Sequence, residues 1–406
     1  MNEAAAIAKK EENTRVGRPL VVDLDGTLIK TDLPWESFLS VLVRHPIELI
    51  KILIRKIKIK KAGYFKLELE KRACFSLEAL PLSKKFVNYL KEEKGRGREL
   101  VLCTGSTQTY ADKIKKMTGF FDSAWGSTLG KNLVGKKKAL FLVEKYGEKN
   151  FDYAGNSLAD LKIAPYTHFF ILVNPSVFTL FLSKKVKVHR LFLKKELNPA
   201  LFAYTLGLPL WFLNCLIFTL PFFLPAFVPN SYSFPNSYSF PNSFFFLAFS
   251  TVHFNFLATA FYIFFSMVYA DRDRKKGSMP VGIPNRFAFS SWFFFSRKGR
   301  KTMNGANSIP VQYNLFATGD LSLSLGFLLS SVCLLLSLVS LVYLILYSPF
   351  SLISTLLYIL CTYLLVRGTI IKWKIPIFFR YAFIAKVVLL QGLIISSIER
   401  YFINLY

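Results

Sequence analysis

The chain has 406 residues, 52% of them hydrophobic and 42 of them Phe, and a formal net charge of +27. Its five scattered cysteines form no C-x-x-C and have only four histidines to join them, so no disulfide framework or zinc site is implied. The charge raises nucleic acid as a partner, but no nucleic-acid motif accompanies it and many Lys and Arg flank apolar segments, so an anionic membrane surface is the expected partner instead.

Composition divides the chain in two: residues 1–200 carry most of the charge, and residues 201–406 are mostly long apolar runs. The charged tail 1–18 lacks the apolar core of a secretory signal, so the first half is expected in the cytoplasm. Val21-Val22-Asp23-Leu24-Asp25-Gly26-Thr27-Leu28 then reads as a strand covered on both faces that runs into two carboxylates. Gly26-Thr27 turns the chain just past the strand's carboxyl end, where open α/β sheets place ligands. There Asp23 can attack phosphorus, and Asp25, two residues on and pointing the same way, can move a proton. An exposed Asp-Gly turn is the alternative.

Thr31 to Glu93 reads as helical. Within it, Phe38 to Lys61 mixes apolar residues with Arg44, Lys51, Arg55, Lys56, Lys58, Lys60 and Lys61, a pattern that suits either a membrane surface or a helix with a solvated basic face. A second buried strand, Glu99 to Ser106, ends in Thr104-Gly105. Asn132 to Ala139 opens a helix that runs to Tyr146-Gly147. Phe151 to Leu161 is a further strand followed by Asn156 and Asp160.

In this order the four segments resemble motifs I to IV of the haloacid-dehalogenase (HAD) superfamily. The resemblance implies a Rossmannoid parallel sheet over residues 19–183 with a small helical cap at about 31–93. It makes Asp23 the nucleophile and Asp25 the acid and base. Thr104 would hydrogen-bond a phosphoryl oxygen, and Lys138, last of Gly135-x-x-Lys, would steady the transferring group, with Lys136 and Lys137 as surface charges. Mg²⁺ would sit among Asp23, the Asp25 carbonyl, Asp160 and Asn156. Asn156 replaces the first acid of the usual Gly-Asp-x-x-x-Asp, so it offers oxygen without charge.

After a basic juxtamembrane linker over 184–200, apolar runs of spanning length occur near 201–228, 244–270, 322–347, 352–366 and 376–398. Basic residues before the first run and after the second place both flanks on the cytoplasmic side, and an odd number of spans would leave Tyr406 outside. With the first half, this layout resembles fusions of a HAD domain with a UbiA-type prenyltransferase. The stretches that carry the likeness are Trp211-Phe212-Leu213-Asn214, Leu315 to Ser322, and Lys372-Trp373-Lys374-Ile375-Pro376. A prenyltransferase of that type needs an Asn-Asp-x-x-Asp-x-x-x-Asp cluster for Mg²⁺; here Phe265, Ser266 and Tyr269 stand where Asn and two Asp belong. Asp273 keeps its place, and Asp271 lies in another register. A second acidic cluster is not found. Segments near 229–243, with its tandem Ser-Tyr-Ser-Phe-Pro-Asn, and 277–312 read as irregular insertions. Lys386, with Arg380 before it, falls inside the last run and is either a functional charge or one that snorkels to the interface.

The expected fold class is therefore an α/β HAD-like domain followed by a partial, all-α transmembrane domain of about five helices. The expected function is a membrane-anchored, Mg²⁺-dependent phosphohydrolase acting on a free or lipid-linked phosphate ester, with an inactive prenyltransferase remnant. The alternatives are an active prenyl or polyprenyl-phosphate transferase with a coupled phosphatase, and a decayed membrane protein without activity.

Overall fold

The computed structural model describes residues 17–194, 197, 199–206, 211, 240–275, 314–347, 352, 353, 355, 356 and 359. The apolar run 376–398, most of 201–228 and 352–366, the insertion at 277–312, residues 229–239 of the other insertion, Lys372 to Pro376, Arg380 and Lys386 lie outside these residues, while 240–243, expected to be irregular, form the start of a helix instead. Two compact units emerge.

The first unit holds a parallel sheet of six strands in the order β3-β2-β1-β4-β5-β6. The strands are β1 (Leu20–Val22), β2 (Leu100–Thr107), β3 (Ser123–Ser127), β4 (Asp152–Gly155), β5 (Phe170–Val173) and β6 (Arg190–Phe192). β1 is central, with Val22 opposite Leu102 of β2 and Ala154 of β4. Its three residues are fully buried, as β-branched and leucine side chains on a strand covered on both faces must be. Leu20 and Val22 join one apolar cluster with Leu100 and Leu102, while Val21 joins the opposite one with Val101, Tyr153 and Phe170. From β1 the chain builds to one side and returns to the other at β4. A crevice thus opens at the carboxyl ends of β1 and β4, the switch point where such sheets take ligands.

Helices α1 (Leu33–Arg44), α2 (Pro46–Lys58) and α3 (Tyr64–Glu70) form a small layer of their own around Val41, Leu49, Ile52 and Leu69. The helical stretch expected over 31–93 divides here. Its last part, α4 (Lys84–Gly95), packs Phe86, Val87 and Leu90 into the sheet's core rather than into the cap layer. Helices α5 (Gln108–Thr118), α6 (Lys136–Tyr146), α7 (Leu158–Leu161) and α8 (Val177–Ser183) complete the layers.

Where a linker is expected over 184–200, the chain instead adds β6 to the sheet, with Leu191 opposite Leu172. Arg190 reads as a linker charge, and it stays exposed, but its guanidinium lies 4.3 Å from the Tyr89 ring centroid in a cation–π contact that ties the strand to the sheet's cover. The first unit also includes two later segments, Met267–Pro280 and Asn314–Ser324. Arg274 donates to both carboxylate oxygens of Glu36 on α1, at 2.7 and 2.9 Å. Lys30 pairs with Asp320 at 3.1 Å. Gly319 has φ +70° and lies so near Lys30 that an added methyl would meet its Cβ at 2.5 Å, so only glycine fits.

The second unit contains α9 (Pro199–Thr205), most of α10 (Phe240–Lys275) and most of α11 (Leu323–Tyr347). Two stretches, Phe249–Asp271 and Leu323–Leu346, are long and apolar enough to cross a membrane. They correspond to the second and third apolar runs. The two helices share polar contacts: His253 Nδ1 lies 2.8 Å from the Ser337 carbonyl and Ser330 donates to the Ala260 carbonyl at 3.0 Å, while His253 Nε2 lies 3.1 Å from Oγ1 of Thr355, beyond the second helix. Hydrogen bonds of this kind join apolar helices that have little hydrophobic drive to associate within lipid.

Candidate active site

Asp23 leaves the end of β1 with its N–H donating to the Ala154 carbonyl at 2.9 Å, which continues the pairing with β4 by one residue. Its carboxylate is 6% exposed and accepts a 2.6 Å hydrogen bond from Lys138 Nζ. Lys138 stands in the first turn of α6 behind Gly135, and it is buried while Lys136 and Lys137 are exposed. The ammonium also donates to Tyr153 Oη at 2.9 Å and lies 3.8 Å from Asp160 Oδ1. Burial disfavours its charge, but the Asp23 and Asp160 carboxylates outweigh burial and hold its pKa above the usual lysine value.

Asp25 has partners of its own. Its Oδ1 accepts from the Leu33 N–H at 2.7 Å, which ties the start of α1 to the site. Its Oδ2 accepts from Ser106 Oγ at 2.7 Å and Thr104 Oγ1 at 3.3 Å. Burial raises its pKa against the opposing bonds from Ser106 and Leu33. A carboxyl raised in this way is suited to carry a proton.

Gly26, between these groups, has φ +74°, and an added methyl would meet Asn156 Nδ2 at 2.0 Å. Both the backbone and the neighbour therefore demand glycine, and the close approach brings Asn156, from the loop after β4, against the Asp23–Gly26 turn. Asp160 is placed differently from the other candidate metal ligands. Its Oδ2 accepts from Asn156 N–H, Ser157 N–H and Ser157 Oγ at 3.2, 2.9 and 2.6 Å, and Oδ1 accepts from Tyr153 Oη at 2.7 Å. With its oxygens so engaged, Asp160 positions Asn156, Tyr153 and Lys138 as well as standing among the candidate metal ligands.

The cluster is short of positive charge. Burial, followed by Lys138, Asp160 and Asp25 in order of weight, leaves the Asp23 carboxyl pushed up to about 8, so one lysine does not offset what burial and two further carboxylates impose. Among the described residues, no group of three or more His, Cys, Asp or Glu is arranged to hold a metal ion. The donors at the turn are all oxygens, from Asp23, the Asp25 carbonyl and Asn156, which is the chemistry a hard divalent cation takes.

Two further residues belong to the site that the four motifs do not name. Ser106 follows Thr104 by two on β2 and reaches Asp25 more closely than Thr104 does. Lys66, on α3, extends toward the mouth and donates to the Gly105 carbonyl at 2.7 Å and Asn132 Oδ1 at 3.2 Å. Burial lowers its pKa, while Asp25 and Asp23 raise it and Lys138 lowers it further. Ser106 could have been found from the alternation of Thr104 and Ser106 on one strand face. Lys66 is one cation in a segment full of them. Asp271 and Asp273 both lie on α10, two residues apart and so on different faces, while Ser266 Oγ is spent on the Tyr262 carbonyl at 2.8 Å and Tyr269 is buried.

No family model matches the sequence. Over 145 residues the chain is 36% identical to an uncharacterized protein of Sinorhizobium fredii, y4nM, a match that covers 36% of this chain and 28% of that protein. The chain thus spans less than a third of the relative's length. Among solved structures it is similar to a HAD family hydrolase from Salmonella enterica serovar Typhi, at 15% identity and a TM-score of 0.33, over 45% of this chain and 69% of that one. It is also similar to a phospho-aspartyl intermediate analogue of phosphoserine phosphatase, at 14% identity and a TM-score of 0.31, over 44% of this chain and 94% of that one. A haloacid dehalogenase-like family protein from Streptococcus pneumoniae matches at 14% identity and a TM-score of 0.32, over 44% of this chain and 94% of that one.

Proposed function

We propose that the chain is a HAD-type phosphohydrolase held in a membrane by its apolar helices. The observation that carries this reading is the convergence, at the carboxyl ends of β1 and β4, of a buried Asp23 on Lys138 with a proton-carrying Asp25 on Ser106 and Thr104. The order of the four sequence motifs supports the same reading.

An Asp23 oxygen attacks phosphorus and the ester bond breaks. The leaving oxygen takes its proton from Asp25, giving a free alcohol and an aspartyl-phosphate. Asp25 then removes a proton from water, the water oxygen attacks phosphorus, and the P–O bond to Asp23 breaks to release phosphate. Lys138 stabilises charge on the transferring oxygens, and Thr104 orients them. Asp160 keeps Lys138 and Asn156 in place. Mg²⁺ held by Asp23, the Asp25 carbonyl and Asn156 would neutralise phosphoryl charge at the same turn. Full-length protein in detergent or nanodiscs, screened with Mg²⁺ against a panel of free and lipid-linked phosphate esters, should release phosphate from at least one. Release from none would remove the reading.

Asn156 supplies oxygen but no charge, so Asn156→Asp is expected to lower the Mg²⁺ concentration needed for half activity severalfold. An unchanged or higher requirement would show that Asn156 is not a deficient ligand. Lys66 brings a cation from the cap to the mouth, and Lys66→Gln should lower kcat/KM by roughly tenfold or more, about the worth of one charge-assisted hydrogen bond. Unaltered kcat/KM on every substrate would assign Lys66 to cap packing alone.

Prenyl transfer is not expected. It requires metal held on clustered carboxylates to neutralise a departing diphosphate, and Phe265, Ser266 and Tyr269 occupy three of the four positions that matter. Membranes containing the chain, incubated with labelled prenyl diphosphates and candidate acceptors including phosphoribosyl ones, should give no more product than an empty-vector control. Product that disappears on Asp273→Ala would reverse this conclusion.

A further inference from the structure

Helix α2 buries one face and leaves a second apolar face open. Leu49 and Ile52 turn inward with Val41 and Leu69, and Lys56 Nζ lies 4.6 Å from the Phe65 ring centroid on that same inner side. This inner contact already accounts for the helix's place in the cap. Yet Ile47, Ile50, Ile54 and Ile57 are 68%, 56%, 53% and 78% exposed. Their spacing of three, four and three residues aligns them in one stripe along the helix. Isolated exposed isoleucines are ordinary, but four in a row mark a surface made to be covered.

The charges beside the stripe indicate what covers it. Lys51, Arg55 and Lys58 recur at four and three residues, which places them along one edge of the isoleucines. Lys60 and Lys61 extend the basic character past the helix end, and Glu48 is the helix's one acidic residue. An apolar stripe with a cationic edge matches the boundary between acyl chains and anionic headgroups, with the isoleucines roughly 5–10 Å into that boundary and the ammonium and guanidinium groups among the phosphates. A protein groove would take the isoleucines but gives no reason for the row of cations. The chain's own spanning-length helices supply the bilayer.

We propose that α2 is an interfacial helix by which the cap rests on an anionic membrane surface. The inference is independent of the phosphatase chemistry. It adds to the membrane reading a second, reversible contact made by the soluble unit itself.

Because the apolar helices would carry the full chain to vesicles in any case, co-flotation does not test this. A genetically encoded environment-sensitive fluorescent amino acid at Ile54, and separately at the exposed Lys91 of α4, does. The full chain is reconstituted into vesicles of phosphatidylcholine alone or with one-third phosphatidylglycerol (about the anionic share of a bacterial-type surface), each doped with lipids spin-labelled near the headgroup. The probe at Ile54 should be quenched in the anionic vesicles and much less in the zwitterionic ones, and the probe at Lys91 should be quenched in neither. Combining Lys51→Gln, Arg55→Gln and Lys58→Gln, which keeps a helix-compatible side chain at each position, should remove most of the quenching at Ile54. Equal, negligible quenching at both positions would overturn the proposal. So would quenching at Ile54 that is indifferent to lipid charge, or energy transfer between Ile54 probes on different molecules in place of lipid quenching, which would assign the stripe to a second copy of the chain. Loss of phosphatase activity with quenching retained would affect the catalytic reading alone.

Discussion

Asp23→Asn is expected to lower turnover of the best phosphate ester by on the order of a thousandfold or more, with the protein still folded. The two-step mechanism has one nucleophile. Asp25 is turned toward Ser106 and the Leu33 N–H, and Asp160 is fully engaged by its own loop, so neither can stand in for it. The substitution should cost little stability. Burial already disfavours the charged form of Asp23, and an amide of the same shape can still accept from Lys138, whose charge keeps Asp160 nearby. Phosphate release and thermal melting, measured on the same preparation, separate the two effects. An Asp23→Asn variant as fast as the unmodified chain on every ester would exclude the covalent mechanism.

Arg274→Ala is expected to destabilise the first unit by about 3–5 kcal/mol, the usual cost of stranding one member of a buried ion pair. The Arg274 and Glu36 side chains are 5% and 3% exposed, and the guanidinium grips both carboxylate oxygens. Without it, the Glu36 carboxylate keeps the hydroxyl of Thr31, at 2.8 Å, but no cation among the described residues. Glu36→Gln in the same background removes the stranded charge and should recover part of the loss, so the two substitutions will not add. Thermal unfolding of the single and double variants in one detergent gives the comparison. Strict additivity, or a shift too small to resolve for Arg274→Ala, would show that the pair contributes nothing.

The catalytic turn was legible because its signals are local. A buried β-branched pair, two carboxylates two residues apart and a glycine follow one another at Val21 to Gly26, and the same run-then-turn pattern marks Thr104 and Asn156. Lys138 stands apart from Lys136 and Lys137 through the resemblance of Gly135-x-x-Lys138 to a family motif, and the structure buries it while leaving those two exposed. The residues that escaped notice are those whose role depends on distant chain. Lys66 has no local pattern that distinguishes it from the other cap lysines; only the fold of α3 over β2 brings it to Gly105. Glu36 on α1 has its ion-pair partner, Arg274, 238 positions later, a separation that no local pattern spans. β6 was hidden because an arginine inside a three-residue strand looks like solvent-facing chain, and a ring contact rather than burial accounts for it. The apolar stretches of α10 and α11 announce themselves by length, but the bond from His253 to Ser337 does not, since lone polar residues in apolar runs carry no period.

The closing of the first unit by Arg274 and Asp320 also fixes an order of events during synthesis. Everything needed for the sheet has left the ribosome by residue 197, but the partners of Glu36 and Lys30 are translated only after most of α10 and the stretch beyond it. Until then the α1 carboxylate of Glu36 lacks its Arg274 partner, and Lys30 lacks Asp320. Completion of the first unit is thereby tied to synthesis of α10 and the stretch beyond it, before α11 is made. The nascent first unit would remain loose, and open to chaperones and proteases, until the segment ending near residue 324 is delivered. A chain that stalls before that point would leave behind a sheet without its lock.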